Sequence, residues 1–352
     1  MDPISLLTRY SPGIAQDHET SDPSRSVFQG FKLITGPLPH RRYREAMHAI
    51  AELHTRRRQY KVGGGLLLTG PSGAGKSTIV QAYLGHFPRA MEAERTRIPA
   101  LLVSAPSSPT SRSLASAILE ALGHKKAHRG TASELTGHIQ DLFSKCEVEI
   151  VLLDEFQHLF YAPTLNAFRD VTDWLKNLLE STRVGMVACG LPAAEAVVNS
   201  NEQLARRFSA RFAITPFAID EGEDFQEFRG LLKTLAKHLP LQTDTPLHEA
   251  NMARRIHMAS YGLMDYVIKV LEGAVSAASR ADLDQIDLPI LAAGFRNRVW
   301  REVPERLNPF HPESVLRPMD RPGEVFQLHT RHDFIGSPVA RKLGMNLTRG
   351  GH

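Results

Sequence analysis

Cysteine is nearly absent: the 352-residue chain has two, Cys146 and Cys189. Two thiols that each lie in or beside an apolar segment cannot build a disulfide framework or a cysteine-rich zinc centre, so both are expected as buried free thiols. Long hydrophobic runs are missing too. No apolar stretch approaches the roughly 18 residues that a membrane-spanning helix needs, which excludes a transmembrane role and a membrane partner. The opening MDPISLLTRYSPG carries Asp2 where a secretion signal has basic residues, and it lacks a sustained apolar stretch. A cytoplasmic location is expected. Neither sign of charge dominates, since 42 Lys and Arg face 38 Asp and Glu. That excludes a histone-like polycation but permits contact with a polyanion. No internal repeat is apparent, and with 42% hydrophobic and 23% charged residues the composition is that of a folded protein with room for two domains.

What is present is strongly ordered along the chain. Residues 1–35 are rich in Ser, Pro, Gly and Asp and are expected as an extended arm. Residues 40–61 concentrate Arg41, Arg42, Arg44, Arg56, Arg57, Arg58 and Lys61 against Glu45 and Glu52. Ala46, Ile50 and Leu53 fall at helical spacing there, predicting an amphipathic helix over 43–53 with the basic residues on its outer side. From 62 to 213 short apolar runs alternate with helical patterns, as a parallel sheet with crossover helices requires. Strands are predicted at 65–69, 100–104, 149–153, 185–188 and 211–214, making a doubly wound α/β domain over 36–216. Beyond Pro216 no strand pattern returns, and four helical patterns predict a helical domain over 217–303. The last segment, 304–352, holds six prolines and scattered Gly, and is expected to lie along a neighbour or to stay irregular. His329 and His332 sit three apart in it without further ligands at workable spacing.

The chemistry is carried by two motifs. Gly70-Pro71-Ser72-Gly73-Ala74-Gly75-Lys76-Ser77, followed by Thr78, is a complete phosphate loop between a strand and a helix. Its glycines let successive N–H groups point at a phosphate, Lys76 reaches the β- and γ-phosphates of ATP, and the Ser77 hydroxyl joins a Mg²⁺ shell. The second motif is the apolar run 150–153 ending in Asp154-Glu155. Asp154 is expected to hold the metal, and Glu155 to act as the catalytic base on the attacking water. Together they predict an ATPase. The strand over 184–188 should end beside the γ-phosphate, where many such enzymes carry Asn, Thr or Ser, but here Cys189-Gly190 follows, so turnover is expected to be slow or partner-stimulated. Arg206 and Arg207, just before the fifth strand, are candidate arginine fingers for a neighbouring subunit, or a surface pair.

With these motifs in place the sequence resembles the AAA+ ATPases, P-loop enzymes with a five-stranded parallel sheet followed by a helical lid. Within them it resembles the TniB/TnsC transposition regulators, relatives of the phage MuB protein. The resemblance rests on Arg41-Arg42, GPSGAGKS, LLVSAPSSPTSR, LLDEFQH, VACGLP, QLARRF, YGLMDYVIKVLEGA and Asn308-Pro309-Phe310. It implies ATP binding and assembly on double-stranded DNA as a ring or filament of identical subunits. It further implies a link between a TniQ-like target-selection protein and a transposase. It also implies a cationic surface after the second strand, where Arg112, Lys125, Lys126 and Arg129 are found; a solvated loop is the competing reading. A second-sensor arginine is missing near 262–269, with Lys269 the nearest cation. A helicase loader or replication-initiator ATPase shares these motifs, as does a nucleotide-switch signalling ATPase.

Overall fold

The computed structural model describes residues 31–34, 36–93, 95–220, 222–327 and 337–342. Helix α1 (Arg41–Tyr60) leads into strand β1 (Gly64–Thr69) and helix α2 (Lys76–Gly85). A short antiparallel pair, β2 (Ala90–Met91) and β3 (Thr96–Arg97), precedes β4 (Ala100–Ser104), α3 (Ser111–Ala121) and α4 (Ala132–Lys145). Then come β5 (Ile150–Asp154), a 3-10 turn over Phe156–Tyr161, α5 (Leu165–Thr182) and β6 (Gly185–Gly190). Helices α6 (Ala194–Asn199) and α7 (Glu202–Arg207) and strand β7 (Ala210–Ala213) complete the α/β part. The five long strands form one parallel sheet in the order β4-β5-β6-β1-β7. All five were legible as apolar runs, within about two residues at their ends.

Strand alternation explains why the sheet is covered on both faces. Leu67, Val151, Leu153, Met186 and Ala188 pack on the side of α3, α4 and α5. Their neighbours Leu66, Leu68, Ile150, Leu152 and Val187 pack on the side of α1 and α2. A separate core is built by α8 (Glu223–Ala236), α9 (Ala250–Ser260), α10 (Met264–Ala281) and α11 (Leu288–Arg298). The expectation that no strand returns after Pro216 fails in one place. Gln242–Thr243 and Gln285–Ile286 form a parallel pair, β8 with β9, too short to leave a period-two signal. The proline-rich segment is irregular, as expected, but it is held down along its own chain. Residues 304–327 close over the helical core through buried Phe310, Met319 and Phe326. Farther on, Ser337 donates a hydrogen bond to the Phe160 carbonyl, and Val339 and Ala340 are buried in the core on the α5 side of the sheet. The tail packs on its own chain because it carries apolar anchors between its prolines. Residues 1–30, His329 and His332 lie outside the described residues.

Helix α1 is longer than predicted, and its basic residues are not all outward. Arg42 is buried: its Nε donates to Thr215 Oγ1 at 3.0 Å, its guanidinium pairs with Asp224, and its Cζ lies 4.7 Å from the Phe217 ring centroid. Arg41 adds a 2.7 Å contact to the same carboxylate. A carboxylate from α8 drew Arg42 inward, so the lead-in helix is pinned to the start of the helical domain. Arg42→Ala leaves that carboxylate only Arg41 and the Ala218 N–H, takes away the buried contacts to Thr215 and Phe217, and is expected to cost about 1–3 kcal/mol in chemical denaturation. Burial alone would raise the Asp224 pKa, but the hydrogen bonds from Arg42 and the Ala218 N–H outweigh it and hold the carboxyl below its ordinary value. A depressed folded-state pKa gives stability that is present above the free carboxyl's pKa and lost as pH falls through the folded one. The difference between parent and variant should therefore shrink below about pH 4.

Candidate functional site

The phosphate loop joins β1 to α2 at the carboxyl edge of the sheet, where open parallel sheets present their ligand crevice. Gly73 and Gly75 adopt φ of 79° and 88°, left-handed values that suit glycine and turn the loop back on itself. The loop is tied to the neighbouring strand by a hydrogen bond from Gly70 N to Gly190 O at 3.2 Å. Lys76 is buried at the head of α2, and its Nζ donates to the Gly70 and Pro71 carbonyls at 2.7 and 2.9 Å. Burial lowers its pKa, while the charges of Asp154 and Glu155 pull it back up. An ammonium held by neutral carbonyls rather than by a bonded carboxylate is a cation available to an anion. Beside it the Ser77 hydroxyl donates to Asp154 Oδ2 at 3.0 Å. That joins the two sequence motifs across 77 positions of chain, and a hydroxyl with a carboxylate is a donor set that suits Mg²⁺. A cavity of about 250 Å³ opens between Lys76, Ser77, Glu155, Gln157, Gly190 and Asp265.

Glu155 sits at φ 57°, and its carboxylate is drawn to the Gln157 side-chain amide, with His158 Nε2 3.7 Å away. Gln157 was not singled out from the sequence. It is buried, and its Oε1 accepts the Leu191 N–H at 3.0 Å, so one amide side chain bridges the acidic motif and the end of β6. A Cβ at Gly190 would stand 2.5 Å from that Oε1. Only glycine leaves Gln157 its place. The polar group absent from Cys189-Gly190 is thus supplied by the neighbouring loop, while burial keeps the Cys189 thiol protonated by pushing its pKa up. The only sequence signal was an amide two residues beyond the acidic pair.

A larger cavity of about 840 Å³ adjoins the loop on the other side, lined by Ile34, Leu38, His40, Tyr43, Met264 and Ile268 among others. Burial, with the charges of Arg42 and Arg44, lowers the His40 pKa to about 4, so this imidazole is uncharged near neutrality. Besides the phosphate loop and α2, the walls come from the lead-in segment and from α10, where the sequence marked 262–269 only as the place of a missing second-sensor arginine. Lys269 meets the phosphate loop only through its partners, since Asp265 Oδ2 and Tyr266 Cε2 each stand 3.3 Å from where a Cβ on Gly73 would be. It pairs with Asp265 at 2.6 Å and lies over the Tyr266 ring.

The remaining candidates are distributed over the rim. Arg206 pairs with Glu202 at 2.6 Å and Arg207 with Glu180 at 2.5 Å, both on the surface and away from this chain's own phosphate loop. Arg112 is committed to the backbone, its guanidinium donating to the Gly130 and His128 carbonyls. It braces the loop that carries Lys125, Lys126 and Arg129, which are exposed and have no ion-pair partner among the described residues. No helix among these residues is long and apolar enough to cross a membrane.

Sheet order, phosphate loop, acidic strand end and helical lid together define the AAA+ ATPase fold. The fold is similar to that of Aeropyrum pernix ORC2 in its ADPNP–ADP complexes, with a TM-score of 0.56 at 15% identity over 80% of this chain and 73% of that one. It is equally similar, at a TM-score of 0.56, to Aeropyrum pernix ORC1 in complex with DNA, 20% identical over 78% and 69% of the two chains. The same score is found for Cdc6p of Pyrobaculum aerophilum, 14% identical over 81% and 75%. Among curated proteins nothing matches. Residues 37–216 match the family model described as "Bacterial TniB protein", and the chain belongs to that family.

Proposed function

We propose that this TniB-family chain is an ATP-hydrolysing, duplex-DNA-binding regulator of DNA transposition. On this reading it assembles on target DNA as a ring or filament and links a TniQ-like target-selection protein to the transposase. The observation that carries the nucleotide part is the Ser77–Asp154 contact beside a buried Lys76 whose charge is free to meet an anion. The loop N–H groups and Lys76 bind the ATP phosphates, and the larger cavity, with its Ile34, Leu38, Tyr43, Met264 and Ile268 lining, takes the base. Ser77 and Asp154 are the residues that would hold Mg²⁺, which when bound screens the phosphate charge. Glu155 accepts the proton of the attacking water, and Gln157 fixes the direction of its carboxylate.

DNA contact is assigned to Lys125, Lys126 and Arg129, with Arg112 holding their loop, and it is to phosphates and therefore blind to sequence. Membership of the TniB family supports the transposition role, and the DNA complex of the similarly folded ORC1 protein supports contact with DNA. Arg206 and Arg207 are assigned to the subunit interface, where they would leave Glu202 and Glu180 for a neighbour's nucleotide. Electron microscopy with ATP and plain duplex tests the reading. Rings or filaments are expected from the parent and none from the Arg206→Ala/Arg207→Ala double variant, with ATP binding by the variant monomer kept. Isolated monomers of the parent on DNA would overturn the proposal, and normal assembly by the variant would remove the interface assignment.

A further inference from the structure

A third cavity, of about 400 Å³, lies at the opposite edge of the sheet from the phosphate loop. Its walls come from Arg57 in the last turn of α1, Gln140 and Ser144 on α4, and Ser181 and Thr182 at the end of α5. Phe143, Val148 and Val184 form its apolar floor, the last two just ahead of β5 and β6. Strands of about 3.3 Å per residue put one strand length, roughly 16 Å, between this edge and the nucleotide site.

The charge arrangement is one-sided. No carboxylate lines the cavity, and those on adjoining segments are engaged elsewhere. Asp141 holds Lys145, Glu147 holds Arg95 and Arg97, Glu149 holds His54 and Arg58, and Glu180 holds Arg207. Arg57 has no ion-pair partner among the described residues, and its Nε is buried without a hydrogen-bond partner there. A buried guanidinium N–H left unmet is costly unless something arrives to accept it. The hydroxyls around it are adaptable. Ser181 and Thr182 both donate to the one Leu178 carbonyl, at 3.2 and 2.7 Å, and Ser181 also accepts from Gln140 Nε2 at 2.9 Å. One hydroxyl can turn away without stranding that carbonyl. Arg56, Lys61 and Arg183, neighbours in sequence of the lining residues Arg57 and Thr182, are exposed and again without an ion-pair partner among the described residues.

We infer that this cavity is a phosphate-binding site, with Arg57 as its cation and the Ser144, Ser181 and Thr182 hydroxyls and the Gln140 amide as its neutral donors. Donors converging from three helices match the several oxygens of a tetrahedral oxyanion better than the two coplanar oxygens of a carboxylate. The same chemistry would accept free phosphate, a phosphate monoester or one phosphodiester of a nucleic-acid backbone.

The test is calorimetric titration of inorganic phosphate into the full chain carrying Lys76→Ala, so that the phosphate loop has lost its cation, with and without Arg57→Gln. Arg57→Gln is expected to weaken phosphate binding about 10-fold or more, the loss typical of a charge-assisted hydrogen bond. Thr182→Val, which keeps the side chain's shape, should weaken it less, and its thermal unfolding guards against a folding defect. A parallel arm measures duplex DNA binding by the otherwise unaltered chain at several salt concentrations. If a backbone phosphate is the occupant, Arg57→Gln lowers the salt slope by about 1. A change in phosphate binding alone points to a free phosphate or monoester, and a change in the DNA arm alone to the backbone. Unchanged binding in both arms by a folded Arg57→Gln overturns the inference.

Discussion

Lys76→Ala is expected to weaken ATP binding by about 100-fold or more and, with it, to abolish ATP-driven assembly on DNA. Lys76 is set for an anion before any nucleotide arrives. It is buried, its ammonium is held by two backbone carbonyls, and burial depresses its pKa. Those are the marks of a charge kept in an unfavourable place for an incoming anion. Loss of that charge removes about 3 kcal/mol from the bound state, as expected for a charge-assisted contact in a partly desolvated site. The nucleotide-free protein should not suffer equally, since deleting a buried cation with no bonded carboxylate leaves two carbonyls that water can reach. Thermal unfolding separates the two effects. The parent should gain stability with ATP by the usual mass-action relation, about 2.7 kcal/mol at 100 times Kd, while the variant gains almost none from the same ATP concentration. A variant that melted early without nucleotide but retained the full ATP-dependent gain would assign Lys76 a structural role instead.

Much of this site could be read from the chain because its parts are contiguous. The phosphate loop carries its own backbone geometry in three glycines, and the acidic motif announces itself as polar residues ending an apolar strand. The five sheet strands were legible for the same reason, being buried on both faces and bounded by turns. What could not be read depends on partners far along the chain. Arg42 looks like one more cation in a basic helix until Asp224, 182 positions later, is brought to it. Gln157 is an ordinary polar residue until Gly190 leaves room for it and the Leu191 N–H turns toward it. The wall of the larger cavity joins residues 34–43 to 264–268, elements with no shared pattern. Arg112 was read as a DNA contact because charge is visible in sequence, whereas its hydrogen bonds to the loop carbonyls are not.

Glu155→Gln is expected to reduce ATP turnover by about 10² to 10⁴-fold while leaving nucleotide affinity near the parental value. Binding survives because Lys76, Ser77 and Asp154 are untouched, and none of them is hydrogen-bonded to the Glu155 side chain; Asp154 Oδ1 accepts only the Glu155 backbone N–H, at 2.9 Å, which the substitution keeps. Local geometry survives as well. The replacement keeps an oxygen able to accept the Gln157 amide, so the bridge to Leu191 need not move. The left-handed backbone at this position is no worse for Gln than for Glu. What disappears is the ability to take a proton from water, since a neutral amide is not a base at any working pH. Two measurements on one sample would decide it. Phosphate release should fall, and assemblies formed with ATP on duplex DNA should persist for far longer than those of the parent, because the ATP-bound state is no longer discharged. If turnover stayed at the parental rate, the proton acceptor would have to be sought elsewhere in the pocket, and His158, 3.7 Å from the Glu155 carboxylate, would be the first residue to substitute.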